Sequence, residues 1–309
     1  MEDPSELCIQ AVQCHETDPK KAVELFTRAS ELGSPEGFFG LAEMKINGMG
    51  TDVDIPGAVE LYRKSAEMGN TPAMFRLGSM YTGSYGYPED KEQCRFWFEK
   101  AAEGGIDLAY PEIAAIYFYG YGTEPNPIKA YFYYEKSAEA GNPEAMFMVG
   151  YMKTEGVGTE KDEKAGVQWF GKAAVAGVPE AQFRMARAAE DGLIDGGDKV
   201  AMQWYVSASD QGFGPAKFNL ATMYYEGRGT ERDMEKAYRL YDEVASSDDA
   251  DALFMTARMK FEGLGTEQDV EGAMKRFGRS AELGNQLAIE FLSDLRRKQN
   301  TQFIMIDGL

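Results

Sequence analysis

The chain has 309 residues, with 32 lysines and arginines against 51 aspartates and glutamates, one histidine, three cysteines and a net charge of −19. That balance argues against nucleic acid and anionic membrane surfaces, which attract basic proteins; it serves solubility or, as the alternative, a basic protein partner. A single histidine, His15, excludes paired-histidine zinc motifs, and an odd, irregular set of cysteines points to a reducing compartment.

From the N-terminus, MEDPSELC carries neither the basic nor the apolar segment of a secretory signal. No uncharged apolar run reaches the roughly 18 residues of a spanning helix, so no membrane insertion is expected. Cytoplasm is the simplest location, with a signal peptide removed before residue 1 as the open alternative. The first element, roughly Pro4 to His15, reads as a helix that starts the array as a half-unit. On one helix, Cys8 and Cys14 stand about 9 Å apart in rise and Cys8 and His15 about 10.5 Å. The first separation is too long for a disulfide and the second too long for a shared zinc. No metal or other cofactor is expected.

From Ala22 onward one unit recurs. A small residue opens an apolar run at Ala22, Ala58, Cys94, Ala130, Gly166, Ala201, Ala237 and Ala273, so the period is 36 with a single interval of 35. A fixed period in this range marks a repeat architecture. Eleven residues past each anchor stand Gly33, Gly69, Gly105, Gly141, Gly177, Gly212 and Gly284, with Asp248 breaking the column. Fifteen past stand Gly37, Ala73, Ala109, Ala145, Ala181, Ala216, Ala252 and Ala288.

Each unit reads as two short amphipathic helices. Around Ala130, the residues Tyr133, Tyr134, Ser137 and Ala138 continue one helical face. Gly141 stops that helix, because glycine tolerates a positive φ. Pro143 and Glu144 start the next, which buries Ala145, Val149, Gly150 and Met152, and Gly156-Val-Gly158-Thr159 turns the chain. Small residues at the crossings let the helices approach, and large ones such as Phe147, Trp169 and Tyr224 fill the space beside them.

Two features interrupt or imitate other chemistry. Segment 166–173, GVQWFGKA, fits the start of a phosphate loop, but Ala173 replaces the magnesium-binding hydroxyl and the match lies inside a helical stripe, where a phosphate loop would follow a strand. Irregular turns fall at GSYGYPED, 83–90, and at Gly192 to Asp198; Pro111 suggests that its helix begins at about that residue. The last unit, roughly Gln286 to Lys298, reads as a closing half-unit with a polar face, and TQFIMIDGL, 301–309, is apolar enough to be expected to fold back on it.

The columns spell GxGTxxDxxKAxxxYxxAAExGxPxAxFxLGxMYxxG, clearest in KSAEAGNPEAMFMVGYMKTEGVGT, 136–159, and PAKFNLATMYYEGRGT, 215–230. This pattern resembles the Sel-like repeat family, a relative of the tetratricopeptide repeat, over about eight units and nearly the whole chain. The resemblance implies an all-α fold: a right-handed α/α superhelical solenoid, one domain over 1–309 with capping helices at both ends. It implies an adaptor or scaffold that binds another protein. Secreted members with a disulfide in each repeat are not matched, since that cysteine pattern is missing.

By similarity to tetratricopeptide repeats, the second helix of each pair lines the concave face. Its inward positions read Glu43, Ser79, Ala115, Tyr151, Arg187, Thr222, Arg258 and Asp294, then Ile46, Thr82, Phe118, Thr154, Glu190, Tyr225, Phe261 and Arg297. Unlike the packing columns, these vary between copies. Phe118, Tyr151, Arg187, Tyr225, Arg258 and Phe261 are the candidate partner-binding residues, because aromatics and arginine dominate interface energetics; filling the seam between units is the alternative role for the aromatics. The expected function is a protein-interaction scaffold holding a partner segment in the groove, with a non-protein ligand such as a cell-wall glycopeptide as the alternative. No catalytic residue is assigned and no enzyme activity is expected.

Overall fold

The computed structural model describes the backbone of residues 2–306 and the side chains of 2–297. Among the described residues there are seventeen α-helices and no strand. They fall into two compact units, one ending at Asp162 and one beginning at Glu163.

The first unit opens with α1 (Pro4–Cys14), whose bounds match the expected half-unit. Four hairpins follow: α2 (Pro19–Glu31) with α3 (Pro35–Asn47), α4 (Ile55–Glu67) with α5 (Thr71–Met80), α6 (Lys91–Glu103) with α7 (Ala109–Tyr119), and α8 (Pro127–Glu139) with α9 (Pro143–Glu155). The second unit holds α10 (Glu163–Val175) with α11 (Pro179–Glu190), α12 (Gly197–Asp210) with α13 (Gly214–Glu226), α14 (Met234–Ala245) with α15 (Ala250–Glu262), and α16 (Val270–Glu282) with α17 (Gln286–Ile306). The last helix, expected to end at about Lys298, runs on to Ile306, so the backbone of 301–306 continues α17 where a fold-back was expected; 307–309 lie outside the described residues.

The helices start where the sequence supplies acceptors. Asp18, Asp54, Asp90, Asn126, Asp233 and Asp269 each precede a first helix and accept the backbone N–H three residues on. Such caps satisfy donors that the helix leaves unpaired. Asp54 also takes Lys45 Nζ at 2.7 Å, which together with the Gly57 N–H holds its carboxyl below the ordinary range. Asp269 is held low first by the Gly272 N–H and then by Lys260 at 3.0 Å. A carboxyl whose folded pKa is depressed contributes stability that is complete above the usual aspartate value of about 3.9 and is lost as pH falls through the lower folded value. The Asp54→Asn and Asp269→Asn double variant is therefore expected to lose less Tm than the parent between about pH 5 and pH 2, read by thermal melts.

Packing repeats with the sequence. Within a hairpin the helices cross at small residues: a Cβ added to Gly37 would lie 2.8 Å from the Ala29 Cβ. The Ala29 column continues as Ser65, Ala101, Ser137, Ala173, Ala208, Val244 and Ser280, every one buried. Two of its serines also tie neighbouring hairpins together, Ser65 donating to the Pro35 carbonyl and Ser280 to the Ala250 carbonyl, both at 2.7 Å. At Ala145, which is 1% exposed, leucine is expected to overpack the crossing and cost about 1–3 kcal/mol in a denaturant melt.

The deepest rings form a column of their own. Phe26, Tyr62, Phe98, Tyr134, Phe170, Tyr205, Tyr241 and Phe277 stand four residues past the anchors, and all are buried. A methionine column faces them, with Met44, Met80, Met152, Met223 and Met259 buried at the same register. Phe147, Trp169 and Tyr224, expected to fill space beside the small columns, are half-buried; Trp169 carries Lys172 Nζ 3.6 Å above its ring.

Three local expectations meet the structure at the turns. The helix expected to begin at about Pro111 begins at Ala109, so Pro111 is its third residue, still within the first turn, where a missing N–H costs nothing. Asp248, in place of the column glycine, adopts φ 61° and is clasped by Arg279 at 2.7 and 3.2 Å. Residues 166–173 are helical throughout, inside α10, so they offer no loop to cradle a phosphate.

The GxGT turn has a definite physical task. Its first glycine, as at Gly156, ends the helix in the left-handed region. Its second, as at Gly158 with φ 72°, lies against the start of its own hairpin's first helix, where a Cβ would stand 2.0 Å from the Pro127 carbonyl oxygen. Only glycine permits that approach.

Candidate functional site

The candidate residues sit on the second helices of their hairpins. In the first unit Phe118 on α7 is half-buried, with edge contacts to Tyr119 and Tyr134 at 5.0 and 6.3 Å. Tyr151 on α9 is half-buried. In the second unit Arg187 on α11 is exposed and reaches Glu190 at 3.7 Å. Tyr225 on α13 lies under the Arg232 guanidinium at 5.4 Å. Arg258 on α15 is exposed and bonds Glu262 at 3.1 Å. Its pKa is raised first by that hydrogen bond to Glu262. Phe261 packs edge-on against Phe277 and Phe291 at 6.4 and 5.6 Å, in the seam between hairpins.

Other positions of these two columns serve the fold. Glu43 accepts the Tyr62 hydroxyl at 2.6 Å and Arg76 through both its oxygens at 2.7 and 3.2 Å. Thr222 pairs with the Tyr241 hydroxyl at 2.7 Å, and burial pushes that phenol up to about 12. Glu190 accepts the Tyr205 hydroxyl at 2.6 Å and Arg228 at 2.9 Å, while Arg228 also reaches Asp198 and Glu226. This network closes over the irregular turn at 192–198. A phenol buried in a stack needs an acceptor, and these positions supply it.

Sequence reasoning missed a cleft in the first unit. It has a volume of about 900 Å³ and runs between α1 and α3. Cys8, Ile9, Val12, Gln13, His15 and Glu16 form one wall and Glu36, Phe39, Gly40, Glu43 and Asn47 the other, with Phe26, Met44 and Met49 between them. Both walls follow helical spacing. Ile9 and Val12 are 53% and 59% exposed, although their spacing in sequence is that of core residues. A smaller cleft of about 460 Å³ in the second unit is lined by Glu163, Lys164, Val167, Gln168, Gly192, Leu193 and Ile194.

In the first cleft the Cys8 thiol bonds the Ser34 hydroxyl at 3.7 Å and the His15 ring bonds the Val12 carbonyl at 2.7 Å. Among the described residues no group of three or more His, Cys, Asp or Glu side chains is disposed to hold a metal ion. The cysteines are free, and burial pushes the Cys94 thiol up to about 12. No helix of the described residues is long and apolar enough to cross a membrane.

Stacked helical hairpins with a 36-residue period and glycine turns define a tandem α-hairpin repeat protein. The Sel1 repeat pattern matches residues 13–34, 38–70, 71–106, 108–142, 143–178, 179–213, 214–249 and 250–285, and the chain belongs to the Sel1 repeat family. The chain is similar to c5321, a protective antigen of uropathogenic Escherichia coli strains displaying an SLR fold. The TM-score is 0.70 at 23% identity, over 96% of this chain and 73% of that one. A Sel1 repeat protein from Oxalobacter formigenes is similar with a TM-score of 0.70 and 27% identity, over 95% of this chain and 87% of that one. No curated protein matches the chain. The fold is an all-α solenoid, a scaffold type that is generally non-catalytic.

Proposed function

We propose that this chain is an adaptor that holds a segment of a partner protein against the inward faces of its second helices, within one solenoid spanning the chain. The observation that carries this reading is a contrast between columns. The ring and crossing columns keep one chemical character through all eight copies, while the positions of Tyr151, Arg187, Tyr225 and Arg258 change character from copy to copy. A position that packing does not dictate is available for recognition, and aromatics beside arginine are effective anchors. Tyr225 and Arg258 supply one aromatic and one arginine from adjacent repeats. The acidic balance of the chain, −19, favours a basic partner segment. Cytoplasm remains the proposed location, and the reading requires no enzymatic step.

The test is affinity capture from native lysate with the parent and with the Tyr225→Ala and Arg258→Ala double variant. Both side chains lie outside the fully buried core, so the variant should keep its Tm within a few degrees. At least one protein bound by the parent should be lost from the variant. If every captured protein stays bound, the inward faces are not the binding surface.

A further inference from the structure

The cleft between α1 and α3 is an unusual use of a helix face. α1 is held to its neighbours by Leu7, Cys8 and Ala11, all buried. Ile9 and Val12 take no part in that anchoring and face the cleft. Adjacent apolar residues left exposed in a concave surface mark an interaction site. The floor includes Met44 and Met49, whose flexible thioether side chains adapt to varied apolar shapes. The two walls are helix faces with stripes at one-turn spacing, the geometry that accepts a third helix laid between them.

The charges specify more. Glu16, Glu36 and Glu43 line the cleft together with His15, and no lysine or arginine does. Glu43 is already committed to Arg76 and Tyr62. Glu36 accepts from Ser34, and Glu16 stands 3.9 Å from His15, so these two carboxylates have no permanent cation beside them. Resting on the adaptor reading above, we propose that this cleft receives one amphipathic helix of a partner protein, with leucine-like anchors on one face and lysines or arginines flanking them. The anchors cover Ile9, Val12 and Phe39, and the flanking cations meet Glu16 and Glu36.

Three synthetic helical peptides about 18 residues long, five turns, test the assignment against the full chain. One has a leucine stripe with lysines elsewhere; a second keeps the stripe with glutamates elsewhere; a third keeps the lysines with serines in the stripe. In calorimetric titration at physiological salt, the leucine–lysine peptide should bind saturably, and the other two at least about tenfold more weakly. Ile9→Ser with Val12→Ser should weaken the leucine–lysine peptide by about tenfold or more with helicity and Tm unchanged. The same exchange at Val53 and Val175, which are 61% and 80% exposed, should leave binding as it is. No binding of the leucine–lysine peptide, equal binding of all three peptides, or indifference to the Ile9 and Val12 exchange would overturn the proposal. So would self-association in sedimentation that the same exchange abolishes, since a second copy would then be the occupant. If this cleft fails while the Tyr225 and Arg258 variant loses its partner, the adaptor reading stands without it.

Discussion

Tyr62→Ala is expected to lower the unfolding free energy by about 3–5 kcal/mol in a denaturant melt, the cost of deleting a buried ring in a core that relaxes only in part. Tyr62 has 0% exposure and belongs to the ring column repeated in every hairpin. Its hydroxyl donates to Glu43, and burial, followed by Glu43, pushes the phenol far above its ordinary range. Tyr62→Phe separates the two contributions. It keeps the packing and removes one hydrogen bond to a carboxylate that still holds Arg76, so about 1–2 kcal/mol is expected. If phenylalanine proved as damaging as alanine, the hydroxyl contact would matter more than the ring. If alanine cost under about 1 kcal/mol, the column would not be the core.

Gly158→Ala is expected to cost about 2–4 kcal/mol, from a left-handed residue that now carries a side chain and from the collision of that side chain with the Pro127 carbonyl. Gly141 supplies the internal control. Its φ is 98°, but a Cβ there meets nothing within 4 Å. Gly141→Ala should therefore cost only the conformational strain, about 1–2 kcal/mol. Equal effects at the two positions in parallel melts would mean that close approach plays no part in the GxGT turn.

Much of the architecture is legible in the sequence because a repeat states its rules eight times. The period, the hairpin unit, the stopping glycines and the small crossing residues can each be read from columns, and α1 and α9 fall at the expected residues. The ring column is harder to see. Large residues occupy two adjacent positions, as in Trp97-Phe98, Tyr133-Tyr134, Trp169-Phe170 and Trp204-Tyr205, and hydrophobicity alone does not choose between them. The structure buries the second of each pair more deeply, and in three of these pairs the first is only half-buried, because a small rotation of the helix decides which ring enters the stack. Asp248 breaks its column in sequence, yet the left-handed backbone persists because Arg279, from the next hairpin, holds the carboxylate.

The candidate site was less legible for a related reason. Inward columns can be counted from the repeat, but nothing in sequence separates Glu43, which serves the Tyr62 hydroxyl, from Arg258, which stands exposed. The α1–α3 cleft was hidden altogether. Ile9 and Val12 have the spacing of core residues, and only tertiary placement shows that Leu7, Cys8 and Ala11 do the anchoring.

The central claim is that, within each unit, each hairpin is held by its immediate neighbours through recurring ring and small-residue columns. Native-state hydrogen exchange tests it most directly. The account predicts slow exchange through the helices of both units and fast exchange at turns recurring at the 36-residue period, as at Gly50, Gly122, Gly158, Gly229 and Gly265. Slow exchange confined to one block, or fast exchange through whole hairpins in the middle of a unit, would contradict it.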